Sequence, residues 1–331
     1  MRFREFFRKW IQFLGLVGFS VLVAYVGPAN IISALKGAEP AYVLVALVIN
    51  VPLVALKAFR WCLLMRVVGI EVSLWTGLRV YFASLFIGFL TPGRVGEFVK
   101  AAYVSSKTGA KLSTTLPSAV IDRLFDLYVL TAVGMVGLFR YSLVAGTESL
   151  CAVVVVALLL LILPLFGVIG KTLMRRRGSQ RVEKLRKKLP YAILEAVDQV
   201  GAMTAGVSLI CVGITIFAYL VFFFQCQIEA WAVHLHISFV DMILVMSVTS
   251  LVSLIPVSVA GIGVRDASLV ILLGKIGAGD SQALAFSLMV LVASYIGGGL
   301  IGACCWLWDP IEMGASSKQR ISTASQSNHS D

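Results

Sequence analysis

The chain has 331 residues, of which 59% are hydrophobic and 14% charged, with a mean hydropathy of +0.93. Soluble domains carry about 25% charged residues, so a soluble fold is excluded and a bundle of spans is expected, each needing about 20 apolar residues. The formal net charge of +11 does not point to nucleic acid, because a membrane chain gathers Lys and Arg in its cytoplasmic loops.

In chain order, the basic front MRFREFFRKW imitates a secretory signal. Residues 10–35 are then free of charge over a full span with no A-x-A site after them, which predicts an uncleaved first helix. A second span is expected at 40–56. An apolar segment at 74–90 meets the breakers Thr91, Pro92 and Gly93 and resumes as VGEFVKAAYVSS. A span at 118–139 carries Asp122, Arg123 and Asp126 in its first part, and another follows at 149–170. The basic stretch from Lys171 to Lys188 and the following PYAILEAVDQV read as a connector with a short amphipathic helix. It either sets topology or is drawn to anionic lipid headgroups. After a span at 205–228, the segment 242–255 meets PVSVAGIG and resumes as VRDASLVILLGKIG, and 281–308 is the last span. Residues 1–311 thus form a transmembrane domain, and the Ser-rich stretch 312–331 reads as a disordered cytoplasmic tail.

Charge decides how the two broken segments lie. With a cytoplasmic amino terminus, and with both broken segments leaving on the side they enter, 22 of the 28 basic residues fall inside. Lys57, Arg60, Arg79 and Lys100 are among them, and only Lys36, Arg140 and Lys275 fall outside. A full crossing at 74–90 would instead put the block RRRGSQRVEKLRKK outside, against the positive-inside rule. The expected fold is an all-α polytopic membrane protein of about six full spans plus two oppositely inserted re-entrant helical hairpins, an inverted repeat of the transporter kind. Both termini would be cytoplasmic and the membrane the cell inner membrane.

The breaks are the candidate functional centre, because freed backbone groups at membrane depth must face protein or a wet cavity. In the first, Pro92 suits the first turn of a helix, Gly93 and Gly96 allow close approach, and Arg94 and Glu97 sit on that turn. Ionisable residues at such depth line pathways, and a helix amino terminus beside an Arg makes a phosphate cradle. The alternative is a private Arg94–Glu97 ion pair that fixes the hairpin. The second break repeats the combination: Pro256 interrupts, Gly261 and Gly263 give room, and Arg265 and Asp266 open the outgoing helix. Asp122 and Asp126, four apart, share a helix face with Arg123 nearby; they either cap the cytoplasmic end of the span or counter the hairpin arginines.

Other chemistry is poorly represented. The six cysteines sit in or beside apolar runs without metal-type spacing, so neither a metal nor another cofactor is expected. GVIGKT lacks the first Gly of a P-loop and follows a span, not a strand. His234 and His236 cannot share a helix face.

FIGFLTPGRVGEFVKAAYVSS, IDRLFDL and SLIPVSVAGIGVRDASLVILL, in this order, resemble the transmembrane domain of lysylphosphatidylglycerol synthases, within a wider flippase-like group. The resemblance implies translocation of a phosphate-containing lipid, whether aminoacylated phospholipid, glycolipid or polyprenyl phosphate, with no enzymatic step. It carries Pro92, Gly93, Arg94, Gly96, Glu97, Asp122 to Asp126, Gly261, Gly263, Arg265 and Asp266 as motif positions. The alternatives are a membrane-embedded transferase or accessory subunit for polyprenyl-linked sugars, and a small-solute secondary transporter.

Overall fold

The computed structural model of the chain describes residue 29 and residues 36–141, 198–254 and 263–308. Most of the predicted span 10–35, the span 149–170, the GVIGKT stretch, Lys171 to Lys188, Pro256, Gly261 and the tail 312–331 lie outside them. Every regular element among the described residues is helical. In order these are α1 (Pro40–Val67), α2 (Leu74–Leu90), a 3-10 segment (Pro92–Phe98), α3 (Val99–Thr108) and α4 (Leu112–Arg140). There follow α5 (Ala205–Ala232), α6 (Phe239–Val252), α7 (Val264–Lys275), α8 (Asp280–Val290), a π segment (Leu291–Gly297) and α9 (Gly298–Trp308).

Among the described residues, three stretches are long and apolar enough to cross a membrane: α1, α5, and Asp280–Trp308, which joins α8, the π segment and α9. Local chemistry sets their starts. Pro40 opens α1, where its missing N–H is no loss. The hydroxyls of Ser73, Thr204 and Ser238 accept hydrogen bonds from the backbone N–H of Thr76, Val207 and Asp241 at the starts of α2, α5 and α6. Helix α1 runs past the expected end at residue 56 because Lys57 and Arg60 are neutralised inside the protein instead of being solvated in a loop.

Hydrogen bonds fix which helix ends lie together. At one end of the bundle, Glu39 N–H donates to the Ala232 carbonyl at 3.0 Å and Tyr141 Oη donates to Asp241 at 2.9 Å. Lys275 Nζ reaches the Tyr141 carbonyl at 2.9 Å. The start of α6 and the end of α7 therefore meet the same point, the end of α4. Elsewhere Trp61 Nε1 donates to Ser118 Oγ at 3.3 Å, Gln199 Nε2 to the Leu64 carbonyl at 3.2 Å, and Thr115 Oγ1 to the Ala101 carbonyl at 2.9 Å. These bonds gather the later part of α1, the start of α4, α3 and the residues before α5.

The two largest apolar clusters divide in the same way, with a smaller one around Leu64, Ile121, Phe125 and Cys211 bridging α1, α4 and α5. One cluster joins α1, α2, α3 and α9 around Trp61, Tyr81, Phe82, Phe86 and Trp306. The other joins α4 to α8 around Phe223, Met242, Leu269 and Phe286. Each helix–break–helix unit has its own core, and the polar residues lie between them.

The first break differs from the expected α-helical turn. Its residues form a 3-10 segment through Phe98, because the chain doubles back so tightly that a Cβ on Gly96 would lie 2.5 Å from the Ile87 carbonyl oxygen. Thr91 Oγ1 accepts from Gly96 N–H at 2.8 Å and donates to the carbonyls of Ile87 and Gly88, tying the turn to α2.

Candidate functional site

Arg94 is held in this turn with φ +57°, a left-handed conformation shared only by His234 among the described non-glycine residues. Its Nη2 donates to Tyr295 Oη at 2.6 Å, and its guanidinium lies 5.2 Å from the Tyr295 ring centroid and 5.5 Å from that of Phe89. Glu97 lies 3.8 Å from Arg94 but 3.1 Å from Arg123 of α4. The private Arg94–Glu97 pair is thus the weaker of the two contacts, and Arg94 keeps capacity for a ligand.

Arg265 reaches the same tyrosine from the other unit, 4.8 Å from its ring centroid. Tyr295 sits in the π segment, an irregularity frequent at functional sites. The phenol thus lies between the two arginines singled out by the breaks. Arg265 is buried and bonds Asp266 Oδ1 through Nε and Nη2, at 3.0 and 2.7 Å, while its Nη1 has no partner. Asp266 also accepts from Ser287 Oγ and from Gly263 N–H, the latter at 2.9 Å, and so caps α7. Gly263 has φ +84°, which a residue with a Cβ rarely adopts.

Asp122 and Asp126 do neither of the two things expected of them. They hold Arg60, which is fully buried and donates to Asp122 Oδ1 and Asp126 Oδ1 at 2.8 Å each, to Thr215 Oγ1 at 2.6 Å and to the Asp122 carbonyl at 3.0 Å. Lys57 pairs with Asp126 at 3.0 Å, and Lys100 with the second oxygen of Asp122, which also accepts from Tyr81 Oη at 2.9 Å. Buried charges persist only when paired and hydrogen-bonded, and this cluster satisfies both carboxylates from α1, α2 and α3. Lys57, Arg60 and Lys100, counted among the basic residues of the cytoplasmic segments, are engaged within the protein by the carboxylates of α4. Their signal in the sequence was Lys57 and Arg60, three apart, flanked by apolar residues on both sides.

A cavity opens between the two units, lined by Asn50, Lys57, Arg94, Arg123, Gln225, Ser294 and Tyr295 among apolar residues. A second is lined by Arg94, Glu97, Lys100 and Arg123. The two share Arg94 and Arg123. Four cations and one carboxylate face this space, whereas Asp122, Asp126, Arg265 and Asp266 stand outside its lining. Tyr295, Asn50, Gln225 and Ser294 had no signature in the sequence. Among the described residues no cluster of His, Cys, Asp and Glu could hold a metal.

The model of the lysylphosphatidylglycerol synthase TM region matches residues 12–302. A UPF0104 membrane protein of Methanothermobacter thermautotrophicus is 25% identical over 307 residues, covering 85% of this chain and 89% of that protein. A second from the same organism is 24% identical, covering 87% of each. Glycosyltransferase AglD of Haloferax volcanii is 28% identical over 142 residues, 42% of this chain and 22% of that protein. No solved structure matches. The match spans both helix–break–helix units and the ionic cluster between them, so this integral multi-pass membrane protein belongs to the family of the lysylphosphatidylglycerol synthase TM region.

Proposed function

We propose that the chain moves a phosphate-bearing membrane lipid between leaflets, the headgroup crossing through the cavity while the acyl chains stay in lipid. The observation that carries this is Arg94: strained into place at a helix break, bonded to a neutral phenol, and facing a cavity beside Arg123 and Lys57. Guanidinium groups bind phosphate oxygens through directional, charge-assisted hydrogen bonds, and an ionisable group at membrane depth is costly unless it serves a pathway. Arg265 contributes from behind Tyr295, where its free Nη1 becomes reachable if the ring turns aside. In this reading the two broken units are hairpins inserted from opposite faces of the cell inner membrane, and both termini are cytoplasmic.

The test is reconstitution into vesicles with acyl-labelled phosphatidylglycerol, followed by dithionite quenching of the accessible leaflet. The wild type is expected to expose the inner-leaflet label. The Arg94→Ala, Arg123→Ala double variant should slow this at least about tenfold, because a hydrogen bond to a charged group contributes about 1.5–3 kcal/mol. Wild-type rates from the double variant would sink the proposal.

A second reading, action on lipid-linked sugars as a transferase, draws on the similarity to the protein named Glycosyltransferase AglD. It predicts a covalently altered lipid after incubation with the purified chain, visible by mass spectrometry; unaltered lipid excludes it.

A further inference from the structure

The charge pattern of the site speaks to the headgroup. Six cations are gathered in or beside it: Lys57, Arg60, Arg94, Lys100, Arg123 and Arg265. The carboxylates that touch them are four: Glu97, Asp122, Asp126 and Asp266. Each of the four is already engaged by one or more of these cations. Among the described residues the cluster therefore keeps a surplus of positive charge; the one carboxylate on the cavity walls is Glu97, whose Oε1 has no hydrogen-bond partner but lies 3.8 Å from Arg94, and whose Oε2 is taken by Arg123.

Three neutral polar residues, Gln225, Asn50 and Ser294, line the first cavity with Arg94. Gln225 is buried in α5; its Nε2 donates to the Ala46 carbonyl at 2.9 Å and its Oε1 has no partner. The amide nitrogen of Asn50 is likewise committed to backbone, including the Ala293 carbonyl at 3.0 Å. Ser294 Oγ donates to Glu229, which leaves the hydroxyl oxygen as an acceptor. A buried acceptor without a partner is costly, so Gln225 Oε1 calls for a donor, and a ligand hydroxyl would supply one.

Resting on the translocation reading, we infer that the headgroup is net anionic and hydroxyl-rich, a phosphodiester carrying glycerol, inositol or a sugar and no ammonium group. A lysyl ester would bring its ammonium charges into the field of Lys57, Arg94 and Arg123, and like charges in contact are strongly disfavoured. The remaining carboxyl nearby is Glu229, fully buried behind Ser294 and outside the cavity lining. The Gln225 acceptor alone suits hydroxyl and ammonium donors equally; the surplus of cations separates them.

The experiment measures binding and transport on the same full-length protein. Tryptophan-fluorescence titration in detergent is carried out with phosphatidylglycerol, lysyl-phosphatidylglycerol and phosphatidylmethanol, the last having the charge without the hydroxyls. Phosphatidylglycerol is expected to bind about tenfold or more tighter than its lysyl ester, and tighter than phosphatidylmethanol. Gln225→Leu should bring phosphatidylglycerol and phosphatidylmethanol to equal affinity while leaving the preference against the lysyl ester intact. Equal or tighter binding of the lysyl ester overturns the inference, and its loss in Glu229→Gln would place the ammonium at Glu229. Absence of binding by all three lipids also overturns it. If phosphatidylglycerol is preferred but does not cross in vesicles, the headgroup assignment stands and translocation fails.

Discussion

At the scale of single residues, the ionisable groups at membrane depth divide into two kinds. Arg60 with Asp122 and Asp126 is closed: every charge has a partner at hydrogen-bond distance and none of the three lines the cavity. Arg94 is open, its best contact being a phenol. The two kinds should respond differently to substitution. Arg60→Met removes the one cation that bonds both buried carboxylates, and breaking a buried pair typically costs about 3–5 kcal/mol. Thermal unfolding in detergent should show a large loss of stability, or the protein should fail to accumulate. Arg94→Ala removes no partner from a closed network and should unfold near the wild-type temperature while losing lipid affinity. Equal stability losses in both would remove the distinction.

At the scale of elements, the breaks were legible and the helices around them only in part. Proline and glycine in an apolar run are a local signal, so Pro92 to Glu97 and Gly263 to Asp266 could be read as interruptions from the sequence alone. The form of the first interruption was not legible. That it continues as a 3-10 turn follows from the close approach of Gly96 to Ile87 and from Thr91 tying both ends, and both are contacts across the turn. The pairing of Lys57, Arg60 and Lys100 was not legible for a related reason: a count of basic residues reads only their side of the membrane, whereas their partners on α4 lie more than twenty residues away in sequence. Tyr295 lies in an apolar run and owes its place between the arginines to the π segment. Gly96→Ala tests the turn directly. Its Cβ would meet backbone, not the end of a flexible side chain, so the turn must open, and a strained substitution of this kind typically costs about 1–3 kcal/mol. The expected result is lower thermal stability together with weaker phosphatidylglycerol binding, because Arg94 is carried on the same turn. Gly279→Ala, in open space, should change neither.

At the scale of the whole molecule, the arrangement is two helix–break–helix units in separate apolar cores, meeting at a polar seam. The hydrogen bonds return α6–α7 to one end of the bundle, at Tyr141, and the chain order returns α2–α3 to the neighbourhood of α1 and the start of α4. If that geometry stands upright in a bilayer, each unit dips in and leaves on its own side, and the two ends of each unit must be accessible from one side only. Single cysteines at Glu71 and Lys111 flank the first unit, and at His236 and Gly279 the second, in a chain whose own cysteines are replaced. A membrane-impermeant maleimide added to intact cells is expected to label His236→Cys and Gly279→Cys, and to label Glu71→Cys and Lys111→Cys only after permeabilisation. This expectation applies the positive-inside rule to Arg66, Arg79, Lys107 and Lys111, whose basic charge would hold the ends of the first unit on the cytoplasmic side. Labelling of Glu71→Cys and Lys111→Cys from opposite sides would mean that the first unit crosses the membrane outright. Arg94 would then travel with a full span, and the reading of the two breaks as oppositely inserted hairpins would fail.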